Sequence, residues 1–263
     1  MQQVCRKHGS LLVFDEIMCG FGRTGSLNGM HAYVKHKGVV PDILTLGKGL
    51  GGGAQPIAAM LCSQGIIDAL ERRNESFNHG VTFQNLPVVA AAGYEVMNII
   101  EELNLLHNVD RLAPLLRRLL ENKLASHPNV SPIRGEGFFL GVSQLDTSLG
   151  ACLLVQWEYV MDKDTKKPYN PELNIAYKIQ AMGKYKLITR VLVNNLTCAA
   201  GMEEKYGVYI YPGTGCNGGD EGDHMLIAPP FNITEERIRW LVDRLVLLHN
   251  DFFAQLNAEQ EKN

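Results

Sequence analysis

The chain has 263 residues, a formal net charge of -3 and an apolar fraction of 46%. Basic and acidic side chains are scattered along it, which argues against nucleic acid or a charged membrane surface as a partner. No apolar run approaches the roughly 20 residues that a membrane-spanning helix needs. The six cysteines are spread singly, without zinc-type spacing, so we predict no metal site and a cytoplasmic location with reduced thiols.

The first hundred residues have the pattern of an α/β segment. Residues 1–8 are predicted to be the end of a helix, with Gly9 as its C-cap. The apolar run at 11–14 is followed by acids, and the run at 43–46 is followed by a glycine-flanked lysine. Short apolar runs bounded by turn residues are typical of buried parallel strands. A third strand is predicted at 57–62.

Three glycine-rich segments resemble phosphate-binding motifs. Residues 20–25 have the spacing G-x-G-x-x-G, but the acid precedes the glycines and loop residues follow them, which disfavours a dinucleotide site. Residues 47–49 lack the Ser or Thr that a P-loop needs after its lysine. The G-x-G-x-x-G spacing at 213–218 is followed by more loop residues and favours a hairpin loop.

Helices dominate the middle of the chain. A helix is predicted over about 85–105, with Asn85 as N-cap and Pro87 in the first turn. Its first half, residues 88–93, is apolar on all sides and is therefore expected to be buried. A second, amphipathic helix is predicted over about 108–126.

Short strands follow His127-Pro128. The change of pattern near residue 107 predicts an α/β piece over 1–106 and an α+β domain over 107–263. A last helix is predicted to start at a Thr234 cap and to run to about Phe253. The other predicted elements are a short helix at 30–36, a helix at 66–73, strands at 133–143 and 152–160, a helix at 172–190, and a hairpin of 208–211 with 225–228.

Two charged residues follow neighbouring predicted strands. Ligands bind at the carboxyl ends of strands in open α/β sheets, so Asp15 and Lys48 are expected at one rim, holding opposite ends of one cofactor. A lysine kept from solvent there could form a Schiff base with a carbonyl. A surface lysine at a strand end is the alternative. A buried Asp15 needs a cationic or donor partner, such as a pyridinium nitrogen, a helix end or Arg23.

Thr82 precedes the helix predicted at 85–105. A hydroxyl beside the free N–H groups at a helix start is suited to contact a phosphate. An ordinary loop threonine is the alternative interpretation.

These residues lie in an ordered series of blocks that resembles the class III pyridoxal phosphate-dependent aminotransferases. The series covers essentially the whole chain. The blocks are residues 12–17 (LVFDEI), 20–25 (GFGRTG), 41–43 (PDI), 47–49 (GKG), 79–83 (HGVTF), 134–137 (RGEG), 228–230 (APP) and 232–234 (NIT).

The resemblance implies roles for four residues. Lys48 would form a Schiff base with pyridoxal 5'-phosphate and move the substrate proton, and Asp15 would pair with the pyridine nitrogen. Ile17 would pack under the ring, and Thr82 would reach the phosphate of the neighbouring subunit of a homodimer. The implied reaction transfers an amino group from an amine or ω-amino acid to a 2-oxo acid.

The resemblance also implies an α/β fold of fold type I. A partial large domain with a mostly parallel sheet would precede a small C-terminal α+β domain, with the N-terminal part of the family pattern absent. Tyr211 stands where many members carry a carboxylate-binding arginine. A decarboxylase or aminomutase of the same fold, or a truncated non-catalytic remnant, are the alternatives.

Overall fold

A computed structural model of the chain describes residues 1–25, 39–124, 126–141, 157–183, 205–215 and 221–261. The chain divides into two compact units, Met1–Arg111 and Leu112–Asn263. The predicted division at residues 106 and 107 lies close to this point. The interpretation of the two units as parts of a cofactor-binding domain and a small domain stays a prediction.

The sheet of the first unit has three strands in the order β1-β2-β3. Strand β1 (Val13–Asp15) pairs in parallel with β2 (Ile43–Leu46), and the register sets Asp15 opposite Thr45. Strand β3 (Ala59–Cys62) pairs with β2 in the antiparallel direction. The central strand β2 is therefore hydrogen-bonded on both sides. The two apolar runs at 11–14 and 43–46 form the parallel pair β1 and β2.

The helices of the first unit begin and end close to the predicted positions. Gly9 ends the first helix in the left-handed conformation, with φ at 64°, as its missing side chain allows. The helices are α1 (Gln2–His8), α2 (Gln64–Arg73), α3 (Pro87–Glu102) and the start of α4 (Leu105–Lys123), with a 3-10 turn at Lys48–Gly51.

Two expectations about α3 are wrong. Its N-cap is Leu86, without a side-chain cap, while Asn85 has a φ of 60° in the turn before it. Asparagine tolerates this left-handed conformation, so the residue is used in the turn and not as a cap. The first half of the helix is also largely exposed: Val88 keeps 64% of its surface, and Gly93 is the buried position. Apolar composition alone did not show whether another element covers the helix.

Antiparallel pairing builds the second unit. Strands β4 (Arg134–Glu136) and β5 (Phe139–Gly141) form a hairpin, and β10 (His224–Ile227) continues the sheet beside β5. Two more strands pair with β10, namely β6 (Trp157–Glu158) and β9 (Tyr211–Gly213). The predicted hairpin of 208–211 with 225–228 is therefore present, with its first strand shifted along the chain.

The remaining elements surround this sheet. Strands β7 (Val160–Asp162) and β8 (Lys167–Pro168) form a small hairpin, and a 3-10 turn (Pro171–Leu173) precedes helix α5 (Ile175–Gly183). Helix α6 (Glu235–Gln260) starts at the predicted cap, where the Thr234 hydroxyl accepts from the Arg237 backbone N–H at 3.3 Å. It continues beyond the predicted end near Phe253 because its apolar side chains stay buried as far as Leu256.

Some predictions fall on residues that the structure does not describe. They are the short helix at 30–36, residues 142–143 of the strand predicted at 133–143, residues 152–156 of the strand predicted at 152–160, residues 184–190 of the helix predicted at 172–190, and residues 216–218 of the predicted hairpin loop. In the described residues, no helix has both the length and the apolar character to cross a membrane.

Candidate cofactor site at the strand ends

Asp15 and Lys48 lie at the same edge of the three-stranded sheet. Asp15 is the last residue of β1, and Lys48 follows the neighbouring parallel strand β2 after a single glycine. The pairing continues one residue past the strand, because the Glu16 N–H donates to the Thr45 carbonyl at 3.0 Å. The carboxyl ends of parallel strands form one edge, so the two predicted residues are brought to a common rim.

The Asp15 carboxylate is held through one of its oxygens. Its Oδ1 accepts from the Ile17 backbone N–H at 3.1 Å and from the Thr45 hydroxyl at 3.2 Å. Among the described residues, Oδ2 accepts no hydrogen bond. The carboxylate is thus fixed in orientation while one oxygen stays available to a donor.

The Asp15 side chain is exposed and not buried. Side chains alternate along β1, and at its end the Glu16 side chain lies inside, 1% exposed, while Asp15 lies outside. Glu16 packs over Gly20, where an added Cβ would come within 2.8 Å of the glutamate Oε2. Successive side chains of a strand point to opposite faces of the sheet, so Glu16 is buried and Asp15 faces solvent.

Lys48 is exposed as well, which agrees with the alternative of a surface lysine at a strand end. It opens a 3-10 turn that closes with the Leu50 N–H donating to the Gly47 carbonyl at 3.0 Å. The turn buries Leu50 and leaves the lysine outside. Lys48 has a φ of 42°, which is uncommon for a residue with a side chain and costs on the order of 1 kcal/mol.

Close packing from α3 supports this turn. Gly93 is a buried residue of α3, and a Cβ there would lie 3.0 Å from Ile57 Cδ1 and 3.7 Å from the Leu50 carbonyl oxygen. The small size of this residue therefore lets the helix approach the turn closely. The backbone that carries Lys48 therefore packs against α3, while the Lys48 side chain is exposed.

Ile17 lies beside the same turn. Its Cγ2 atom is 3.4 Å from the position of a Cβ on Gly47, the residue before Lys48. An apolar side chain is therefore placed at the edge where Asp15 and Lys48 lie. Three of the four predicted site residues belong to this edge.

Thr82 lies in an exposed turn ahead of α3 and makes no hydrogen bond within the described structure. Its neighbours Val81 and Phe83 are also exposed. The structure of this chain does not bring Thr82 to the Asp15 edge by any described contact.

The glycine segment at 20–25 serves packing. Residues 20–24 are turns, and the preceding strand β1 ends at Asp15, whereas a dinucleotide site has this glycine motif directly after a strand. Gly22, with a φ of 85°, lies against the Leu106 side chain, and Gly25 lies against the Asp110 carboxylate. Burial lowers the pKa of Arg23, within the same segment, to about 10.

Thr45 is a site residue that sequence reasoning missed. The signal was a single hydroxyl inside the apolar run at 43–46, in the strand predicted to pair with the strand of Asp15. In the described residues, no group of three or more His, Cys, Asp or Glu side chains could hold a metal ion.

A model of the family described as "Aminotransferase class-III" matches residues 1–158. The chain belongs to the class-III aminotransferase family. It is 39% identical over 245 residues to an aminotransferase of Gibberella zeae, a match that covers 93% of this chain and 40% of that protein. The chain spans 40%, 45% and 49% of the length of three curated relatives that it matches.

Solved structures of aminotransferases share the fold. A thermostable (S)-enantioselective omega-transaminase from Thermomicrobium roseum superposes with a TM-score of 0.70 at 26% identity, over 95% of this chain and 45% of that one. A PMP-bound aminotransferase from Vibrio fluvialis also gives 0.70, at 25% identity, over 96% of this chain and 46% of that one. The fold is therefore the pyridoxal phosphate-dependent fold type I of the class-III family, and the fold class predicted from the sequence is confirmed.

Proposed function

We propose that this chain carries the cofactor-binding edge of a class-III transaminase. The enzyme would move an amino group from an amine or ω-amino acid to a 2-oxo acid. Lys48 would be bonded to pyridoxal 5'-phosphate, Asp15 would pair with the ring nitrogen and Ile17 would contact the ring. When bound, the cofactor supplies a pyridinium ring that withdraws electrons from the reacting substrate carbon.

The observation that carries this proposal is the pairing of β1 with β2. The parallel register sets Asp15 opposite Thr45, three residues before Lys48, so a carboxylate and an amine reach the same edge. The Ile17 side chain, which lies beside Gly47, adds an apolar surface at the same edge. A carboxylate, an amine and an apolar side chain fit the pyridine nitrogen, the aldehyde carbon and the ring face of this cofactor.

Each residue has a physical task in the proposed reaction. The Asp15 carboxylate would keep a proton on the ring nitrogen, since an ionised acceptor makes a strong hydrogen bond to a cationic donor. The Lys48 amine, once free, would take the proton from the substrate carbon and return it to the neighbouring position. Its fixed backbone would keep the amine close to that carbon, which lowers the entropic part of the barrier.

We also propose that the enzyme works as a homodimer in the cytoplasm. Thr82 would contact the cofactor phosphate of the neighbouring subunit, as the family resemblance implies. The surface around Thr82 is apolar and exposed in this chain, with Phe83 at 76% exposure and Val81, Leu86 and Val88 beside it. An apolar surface of this kind is typical of a protein interface.

The test is a titration of the purified chain with pyridoxal phosphate, followed by visible absorption. We expect a band that saturates, disappears in Lys48→Ala and weakens in Asp15→Ala. Lys7→Ala is the matched control, because Lys7 is another exposed lysine of the same unit and lies in α1. Equal bands in the Lys48 and Lys7 variants would contradict the proposal and favour a non-catalytic remnant.

A further inference from the structure

Thr45 links the two sides of the proposed cofactor site. Its hydroxyl donates to Asp15 Oδ1 at 3.2 Å across 30 residues of chain, from the strand that leads into Lys48. We propose that Thr45 is a positioning residue, which fixes the Asp15 carboxylate relative to the Lys48 turn and so sets the cofactor affinity. This inference rests on the proposed function.

The backbone of Thr45 is well fixed. Its carbonyl accepts from the Glu16 N–H at 3.0 Å on the β1 side, and it is paired with Met60 of β3 on the other side. A β-branched side chain on such a backbone has few χ1 rotamers, so its hydroxyl has a defined position. The Asp15 side chain is exposed and not β-branched, so its own rotamers do not fix its position.

The second donor to Asp15 is local. The Ile17 N–H lies two residues along the chain and makes an Asx-type turn, which moves together with Asp15. Within the described part of the chain, the Thr45 hydroxyl is the donor that ties the carboxylate to a different strand. Both donors use Oδ1, so the arrangement turns Oδ2 outward as the acceptor for a ring nitrogen.

Removal of the hydroxyl would leave the fold of β2 intact and free the carboxylate. We expect Thr45→Val to weaken pyridoxal phosphate binding by about five- to tenfold. A tenfold loss corresponds to about 1.4 kcal/mol, which lies within the net contribution of about 0.5–1.5 kcal/mol of a typical intramolecular hydrogen bond. Thr45→Ser keeps the hydroxyl and is expected to bind within about twofold of the unchanged chain.

A double-mutant cycle tests whether Thr45 acts through Asp15. The dissociation constant of pyridoxal phosphate is measured by absorption for the unchanged chain, Thr45→Val, Asp15→Ala and the combination. If the proposal is right, Thr45→Val has no further effect in the Asp15→Ala chain. The same loss in both backgrounds, or a loss that Thr45→Ser shares, would overturn it.

A second measurement needs no cofactor. Hydrogen exchange of the Ile17 amide reports the same carboxylate, because that N–H donates to Oδ1. We expect faster exchange in Thr45→Val and unchanged exchange in Thr45→Ser; unchanged exchange in both would contradict the proposal. If no variant alters cofactor binding while the exchange result holds, the proposed function fails and the link between Thr45 and Asp15 stands.

Discussion

The two units of the chain bury their apolar side chains to very different degrees. The largest fully buried side chains all belong to the second unit, and they are Tyr159, Phe138, Leu112, Leu116, Leu120, Leu124, Ile175, Ile179, Ile210 and Met225. Most of the exposed large apolar side chains belong to the first unit, including Val13, Phe77, Val81, Phe83 and Val88. The second unit has a packed core of its own, whereas much of the apolar surface of the first remains open.

This difference matches the division of tasks that we propose. The candidate cofactor edge and the exposed apolar surface around Thr82 both lie in the first unit, while the second unit uses its apolar residues for its own stability. Exposed apolar side chains that lie close together on a protein surface are typical of an interaction site. We therefore expect core substitutions to unfold the second unit and surface substitutions to leave the first unit folded.

The largest expected effect comes from a matched pair of phenylalanines. Both Phe138 and Phe83 lie in turns, but Phe138 is 0% exposed in the second unit and Phe83 is 76% exposed in the first. Phe138→Ala is expected to lower the free energy of unfolding by about 3–5 kcal/mol, because it leaves a cavity. Phe83→Ala is expected to change it by less than about 0.5 kcal/mol.

Chemical denaturation followed by tryptophan fluorescence measures this difference. Both tryptophans of the chain, Trp157 and Trp240, belong to the second unit, so their fluorescence reports that unit. Hydrogen exchange over residues 1–111 serves for the Phe83 variant. Similar losses for both variants would remove the contrast between the units.

A buried histidine gives the second unit a pH dependence. Burial lowers the pKa of His249 to about 4 from its ordinary value of 6.5. Its Nδ1 lies 2.6 Å from the Leu245 carbonyl, which can only accept, so Nδ1 donates and the neutral ring receives the Tyr159 hydroxyl on Nε2 at 2.9 Å. The folded unit therefore holds this ring without its second proton.

The direction in which stability changes with pH follows from proton binding at His249. Between pH 6.5 and 4 the unfolded chain binds a proton at His249 that the folded unit does not, so stability falls as the pH falls through this window. The loss is on the order of 3 kcal/mol and stops below about pH 4, where both states are protonated. Denaturation of His249→Gln should show a shallower slope in this window, and His8→Gln, at an exposed site of α1, should keep the original slope. An unchanged slope in His249→Gln would show that other groups cause the dependence.

A smaller effect is expected at the glycine turn of the first unit. Gly22 and Gly53 both have a positive φ, of 85° and 79°, but only Gly22 has a side chain, that of Leu106, in the place of a Cβ. Gly22→Ala is expected to destabilise by roughly 1–3 kcal/mol, and Gly53→Ala by about 1 kcal/mol from backbone strain alone. Hydrogen exchange over residues 1–25 measures the effect of Gly22→Ala, and exchange over residues 43–62 measures that of Gly53→Ala. Equal effects would contradict the packing against α4.

The smallest effect is expected beside the lysine. Gly47 is extended, with a φ of -173°, and an added Cβ would meet Ile17 Cγ2 at an ordinary 3.4 Å. Gly47→Ala should therefore bind pyridoxal phosphate within about twofold of the unchanged chain. A large loss of pyridoxal phosphate affinity in the absorption titration would show that a Cβ at position 47 does not fit beside Ile17.

The sequence predicted the strands of this site better than it predicted which side chains are buried. The apolar runs at 11–14 and 43–46 were enough to predict the parallel pair and the common edge of Asp15 and Lys48, because strand formation follows local patterns. Exposure depends on what covers an element, which a local pattern does not contain. For that reason the expected burial of residues 88–93 was wrong, and the sequence did not decide whether Asp15 and Lys48 are buried.

The contact between Thr45 and Asp15 was missed for a related reason. It depends on the exact register of two strands that are 30 residues apart. A shift of one residue would turn the hydroxyl to the other face of the sheet, so the contact could be seen only once the pairing was known.

Lys48 and Asp15 are proposed to act on the same bound ring. Its most direct test is to trap pyridoxal phosphate on the purified chain with borohydride at a limiting amount of cofactor, and to map the modified lysines by mass spectrometry. We predict that the label is concentrated on Lys48 and that Asp15→Ala greatly reduces this preference. Label spread evenly over the exposed lysines, including Lys7, or unaffected by Asp15→Ala, would contradict the account.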